Sequence, residues 1–142
     1  MMSMKRKATM VGGTVKARIT LTAADYERLS QLARVAADAM PDQVAVLTEE
    51  LERAEVVADG PLEQTVCMGS EVTFRDDSTG KVETMTLVYP SEADISRQRI
   101  SVMTPVGTAL IGLGTGDSIT WTTRSGELRL LTVLDVRAPQ LA

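Results

Sequence analysis

At 142 residues the chain is long enough for one ordinary domain, or one small domain with an appendage. It has no histidine and a single cysteine, Cys67. That rules out an internal disulfide and argues against thiol catalysis and structural zinc. The net charge of −4 conceals a basic start and an acidic body. An acidic body speaks against nucleic acid as the main ligand, and no apolar run is long enough for a membrane span.

Residues 1–18 carry Lys5, Arg6, Lys7, Lys16 and Arg18 and no acid, without hydrophobic periodicity. They read as a flexible basic tail, with no apolar stretch behind the charges to make a secretory signal. Contacts of this tail with nucleic acid, membrane or a protein stay open. Arg18–Leu21 reads as a short extended lead-in.

Thr22-Ala-Ala-Asp25 has the form of a helix start: a hydroxyl for the first-turn amides and an acid for the positive helix end. Tyr26, Leu29, Ala33, Ala36 and Met40 follow at steps of three and four. Pro41-Asp42 interrupts, with Asp42 as a candidate N-cap. Val44, Leu47, Leu51, Ala54 and Ala58 repeat the spacing until Asp59-Gly60-Pro61 stops it. Folding one set onto the other pairs Tyr26 with Ala58, Leu29 with Ala54, Ala33 with Leu51 and Ala36 with Leu47. Large meets small at each, as interdigitation requires. The expectation is an antiparallel helical hairpin over 19–60, a coiled coil turning at Pro41. Its segment 23–59 holds three basic and nine acidic residues. Residues 61–69 read as a linker, with Cys67 a small apolar residue within it.

From Gly69 the period becomes two. Strands are expected at 71–75, 82–89, 100–103, 118–123 and 128–136, with turns at Asp76–Gly80 and Ser125-Gly126 and a short helix at 106–111. The links are too short for crossovers, so the sheet should be largely antiparallel. Gly112, Gly114 and Gly116 lack the following helix that would hold a phosphate, and read as a tight turn into a strand. Trp121 lies on one face of its strand with Ile119, as core or as an interface anchor.

The stretch Arg99–Asp117 joins a short apolar strand, the turn Thr104-Pro105-Val106-Gly107, a small-residue helical turn and Gly114-Thr-Gly-Asp117. With Leu87-Val-Tyr-Pro90 before it and Gly116-Asp-Ser-Ile119 after it, this arrangement resembles the C-terminal domain of the GreA/GreB transcript cleavage factors of bacterial RNA polymerase. It is most similar to their short-hairpin branch, the regulators of nucleoside diphosphate kinase. The resemblance spans about Thr20 to Val136. It implies an α+β protein: a short antiparallel N-terminal helical hairpin, then an FKBP-like antiparallel β-sheet domain with one short helix over 70–142.

The resemblance further implies a cytoplasmic, monomeric, non-enzymatic transcription regulator. Its partner would be the secondary-channel rim of RNA polymerase, a coiled coil of the largest subunit. The contact would come from Met103, Thr104, Pro105, Val106 and Gly107, where Thr104 replaces a serine common in the family. The same turn also reads as a fold element, Thr104 capping the helix and Pro105 fixing its start. In cleavage-active relatives, acids at the hairpin tip help hold a magnesium ion. Here the tip offers Asp38, Pro41 and Asp42. A rise of about 1.5 Å per residue gives roughly 25 Å from Thr22 to Asp38, against hairpins roughly twice as long in active relatives. The tip therefore reads as a plug or as a solvated turn, with no metal, cofactor or catalytic residue. An FKBP-like prolyl isomerase or chaperone, a cleavage factor, and an indirect regulator of nucleotide metabolism remain as alternatives.

Overall fold

Residues 9–11, 14–16, 18–60 and 62–139 are described by the computed structural model. Lys5, Arg6 and Lys7 of the expected basic tail lie outside them. Within that tail, β1 (Thr9–Val11) and β2 (Thr14–Lys16) pair antiparallel, Thr9 opposite Lys16. The expected lead-in is β3 (Ile19–Thr22).

Thr22 caps α1 (Ala23–Ala36) through its Oγ1, which accepts from the Asp25 amide at 3.1 Å. The chain turns over 37–40 and re-enters helix as α2 (Pro41–Glu52). The start of α2 differs from the expectation of an Asp42 cap. Pro41 takes the first helical position, where its missing N–H costs nothing. The cap is therefore Met40, with no side-chain bond, and Asp42 sits in the first turn. The seam holds for two layers, with Leu29 and Ala33 of α1 and Leu47 and Leu51 of α2 buried. It stops there. Residues 54–57, expected to continue the helix to Ala58, form β4 (Ala54–Val57), which pairs parallel with β3, Ile19 beside Ala54 and Thr22 beside Val57. The β-branched pair Val56-Val57 favours a strand, and β3 supplies the open edge. The coiled coil is thus shorter than expected and stands on a two-stranded parallel foot.

The remaining strands, β5 (Glu71–Asp76), β6 (Lys81–Val88), β7 (Arg99–Ser101), β8 (Ser118–Thr122) and β9 (Leu128–Arg137), form a sheet in the order β7-β6-β5-β9-β8. All neighbours are antiparallel except β6 and β7. That parallel pair is joined through two 3₁₀ turns, Pro90–Glu92 and Ile95–Arg97. Between Thr73 and Phe74 the pairing skips Leu134, a bulge in β9. The short helix is α3 (Pro105–Leu110). The expected α+β architecture, a helical hairpin with a mostly antiparallel sheet and one short helix, is the one observed.

The hairpin and the sheet are not separate bodies. Ile19, Leu21, Leu29 and Leu47 belong to the same buried cluster as Val72, Leu87, Leu110, Ile119 and Leu131. Each such side chain contributes about 1.5–3 kcal/mol on burial. The expected linker is part of this interior. Val66, Cys67 and Met68 are buried, Val66 N–H donates to Leu113 at 2.8 Å, and Gly69 N–H donates to Leu87 at 2.6 Å. Gly112 adopts φ +81°, and a Cβ there would come within 2.7 Å of the Ile19 side chain. This is the tight turn expected of the glycine run.

Candidate functional site

The turn Met103–Gly107 is built by hydrogen bonds on every side. Thr104 Oγ1 accepts from the Gly107 amide at 3.0 Å and donates to the Ser101 carbonyl at 2.7 Å. Met103 N–H donates to Ser101 Oγ at 2.9 Å. Thr104 is extended, which suits a residue before proline, and Pro105 opens α3. Gly107 is required by close approach: any Cβ there would strike the Ser101 carbonyl and lie 2.9 Å from Val102 Cα.

Burial divides the five candidate residues. Met103 and Gly107 are buried and hold the turn, whereas Thr104, Pro105 and Val106 are half-buried and present a surface. All five were expected as contacts; only Thr104, Pro105 and Val106 are accessible at the surface. Pro105 and Val106 form one wall of an open groove of about 570 Å³ shared with Ile95, Ile100, Trp121 and Arg124. Ile95 was not among the expected contacts, whereas Trp121 was read as core or as an interface anchor. Trp121 is half-buried, and its indole N–H has no acceptor among the described residues. It is neither wholly core nor wholly exposed. Its signal in the sequence was strand alternation, which fixes a face but not what covers it.

The hairpin does not stand apart from this surface. Gln43, two residues past Pro41, donates from Nε2 to Thr108 Oγ1 at 2.7 Å, and Thr108 donates on to the Val102 carbonyl at 2.5 Å. Gln43, Val46 and Glu49 of α2 line a second recess with Pro105, Ala109 and Trp121. The beginning of α2 therefore lies against α3. Asp38, Pro41 and Asp42 are exposed at the tip. Among the described residues, no group of three or more acidic, cysteine or histidine side chains could hold a metal ion. The two tip carboxylates fall short of the oxygen ligands a hard cation takes.

A second concentration of titratable groups lies where α1 meets the sheet. Asp25 Oδ2 accepts from the Met68 amide at 3.1 Å. Burial raises its pKa, and that bond and Arg28 only partly offset the rise. Burial, with Asp25 adding to it, pushes the Cys67 thiol up to about 11 and the Tyr89 phenol up to about 12. Both are neutral at physiological pH, and Cys67 is a packing residue rather than a nucleophile. The Arg28 guanidinium lies 4.6 Å from the centre of the Tyr89 ring. These contacts tie the first turns of α1 to the sheet. Among the described residues, no helix is long and apolar enough to cross a membrane.

Comparison with known proteins agrees with this architecture. Residues 61–138 match the family described as "Transcription elongation factor, GreA/GreB, C-term", and residues 18–57 match "Rnk N-terminus". The chain is 40% identical over 113 residues to the "Regulator of nucleoside diphosphate kinase" of Escherichia coli strain K12, covering 79% of this chain and 83% of that protein. It is 36% identical over 86 residues to "Transcription elongation factor GreA" of Rickettsia felis, covering 60% of this chain and 53% of that one. Among solved structures, the GreA/GreB elongation factor of Nitrosomonas europaea superimposes with a TM-score of 0.66 at 37% identity, covering 85% of this chain and 98% of the other. With its helical hairpin matched by one family profile and its turn-bearing sheet by the other, the chain belongs to the GreA/GreB family, in the branch of the regulators of nucleoside diphosphate kinase.

Proposed function

We propose that this protein is a non-enzymatic transcription regulator that binds RNA polymerase at the rim of the secondary channel through Thr104, Pro105 and Val106. It competes there with longer GreA-type factors and does not stimulate transcript cleavage. The observation that carries the reading is the Gln43–Thr108 bond at 2.7 Å. It holds the start of α2 beside the docking turn, so the hairpin occupies the neighbourhood of the rim instead of reaching toward a distant metal. The length of α1, 14 residues or about 21 Å, supports the same conclusion. The rigid proline turn provides an anchor, because binding it costs little conformational entropy. A polymerase partner also implies a cytoplasmic location.

The test is binding to immobilised core RNA polymerase, alone and with a GreA-type competitor, followed by a cleavage assay on backtracked complexes. The wild-type chain should bind and be displaced by the competitor. Pro105→Asp should not bind, and no cleavage should be stimulated. Cleavage that disappears in Asp38→Ala or Asp42→Ala would overturn the non-catalytic reading. Full-strength binding by Pro105→Asp would overturn the docking assignment.

A further inference from the structure

We infer that the free chain pairs weakly with a second copy of itself, edge to edge, through the open half of β6, with Val82 facing Val82 across a two-fold axis.

The two edges of the five-stranded sheet differ. At one, β2 runs beside β8. At the other, β7 covers only Thr86–Val88 of β6, so Lys81–Met85 has no strand alongside it among the described residues. The printed bonds fix which backbone groups point there. Leu87 faces β5: its N–H donates to the Ser70 carbonyl at 3.0 Å, and its carbonyl accepts from the Gly69 amide at 2.6 Å. Thr86 and Val88 face the other way. Thr86 N–H donates to the Gln98 carbonyl at 2.8 Å, and the Val88 carbonyl accepts from the Val102 amide at 2.9 Å. Backbone groups alternate sides along a strand, so Val82 and Thr84 aim N–H and C=O at the open edge. Neither has a backbone partner there among the described residues. Such an edge is a template for another strand. Val82, at its centre, is also 51% exposed.

Charge selects both the occupant and the register. Lys81 and Glu83 lie on one face of β6, their ammonium and carboxylate 4.0 Å apart. Two copies of this strand can pair antiparallel about several centres. Centred on Lys81, lysine meets lysine. Centred on Glu83, glutamate meets glutamate, and Gly80 of the turn falls opposite Thr86, whose N–H Gln98 already takes. Centred on Val82, the two valines exchange both backbone bonds, and Lys81 of each copy stands opposite Glu83 of the other. Opposite charges directly across a strand pair stabilise it and like charges destabilise it. The edge is thus complementary to itself in one register. A contact of one short strand falls far below the roughly 1,200 Å² that a stable complex buries, so the pair forms at high protein concentration and the dilute chain is a monomer.

Sedimentation equilibrium of the full chain over a wide concentration range tests the pairing. The proteins compared are wild type, Val82→Pro, Glu83→Lys and the charge swap Lys81→Glu with Glu83→Lys. Val82 N–H points away from β5, so proline there leaves the β5–β6 ladder whole; circular dichroism and thermal melting verify the fold. Wild type should show a reversible monomer–dimer equilibrium. Val82→Pro should weaken it at least tenfold and Glu83→Lys at least threefold. The swap restores both opposed pairs and should return to within twofold of wild type. A chain that stays monomeric at the highest concentration would overturn the pairing. So would a dimer that a folded Val82→Pro leaves within twofold of wild type, because its contact lies elsewhere. Should Val82→Pro fail to fold, the charge variants decide. A dimer indifferent to Glu83→Lys, or a swap that recovers nothing of what Glu83→Lys loses, would show the Val82-centred pairing to be wrong.

Discussion

Gln43 and Thr108, 65 positions apart in the chain, meet at 2.7 Å and join the start of the second hairpin helix to the helix that follows the Thr104-Pro105 turn. Thr108 is fully buried and its hydroxyl is doubly engaged, accepting from Gln43 and donating to the Val102 carbonyl. Thr108→Val, nearly isosteric, removes both bonds and leaves the glutamine amide short of an acceptor. A loss of about 1–3 kcal/mol is expected from urea unfolding, with Gln43→Ala costing about 1 kcal/mol.

Leu47 is fully buried in the cluster shared by hairpin and sheet. Leu47→Ala should cost about 2–5 kcal/mol. Because the core is shared, the helical signal in circular dichroism and the fluorescence of Trp121 in the sheet should fall together, in wild type and mutant alike. Two separate transitions in wild type would show that the hairpin unfolds on its own.

Gly107→Ala places a methyl against the Ser101 carbonyl, which is backbone and cannot swing aside. The turn must open, at about 1–3 kcal/mol, as overpacked positions do. The melting temperature should drop by several degrees, and polymerase binding should weaken more than global stability alone accounts for.

The carboxylates divide by sign. Burial alone pushes Asp76 and Asp77 upward. The Ser78 amide and Arg129 at Asp76, and Thr132 and Arg75 at Asp77, outweigh it, and both end below the usual value. Their contribution is present above about pH 4 and is lost as pH falls through their depressed folded pKa values. Asp25 runs the other way. Its pKa is raised in the folded state, so its contribution is present below its unfolded pKa and is lost as pH rises through the folded value. Asp77→Asn should destabilise at pH 7, and its difference from wild type should vanish in strong acid. Asp25→Asn should be neutral or stabilising at pH 7 and should remove the opposing slope just above pH 4. Urea midpoints from pH 2 to 8 read both.

Glu49 and Glu52 are exposed on α2. Reversing both to lysine should slow polymerase association several-fold near 0.05 M salt and have little effect near 0.5 M, where the Debye length is only about 4 Å. A loss that persists at high salt would mean that these acids make direct contacts and do not merely steer.

The sequence revealed the sheet almost strand by strand, because alternation with one buried face and turns such as Asp76–Gly80 leave few other pairings. The hairpin seam was legible up to Leu51. Beyond it, Ala54 and Ala58 fit a heptad by spacing alone, and alanine is compatible with either structure. Val56-Val57 was the local sign of a strand, but only its partner Ile19–Thr22 makes it one. Asp42 failed as a cap because Pro41 claims the first helical position. Of the site, the proline turn was readable from Thr104 and Pro105. Ile95 and Arg124, which line the groove beside it, were not, since a groove assembled from three distant segments leaves no periodicity behind.

The two legs of the hairpin end in one parallel strand pair, Ile19–Thr22 beside Ala54–Val57, and β3 is further fastened by the bond from Thr20 N–H to the Gly112 carbonyl at 3.0 Å. Each helix is therefore anchored at its foot independently of the bend at 37–40. A protease cut at that bend should leave two fragments that stay associated, and new chain ends placed there by circular permutation should be tolerated. By the same reasoning, whole helical turns can be added beside the bend while the sheet and the Thr104–Gly107 turn keep their places.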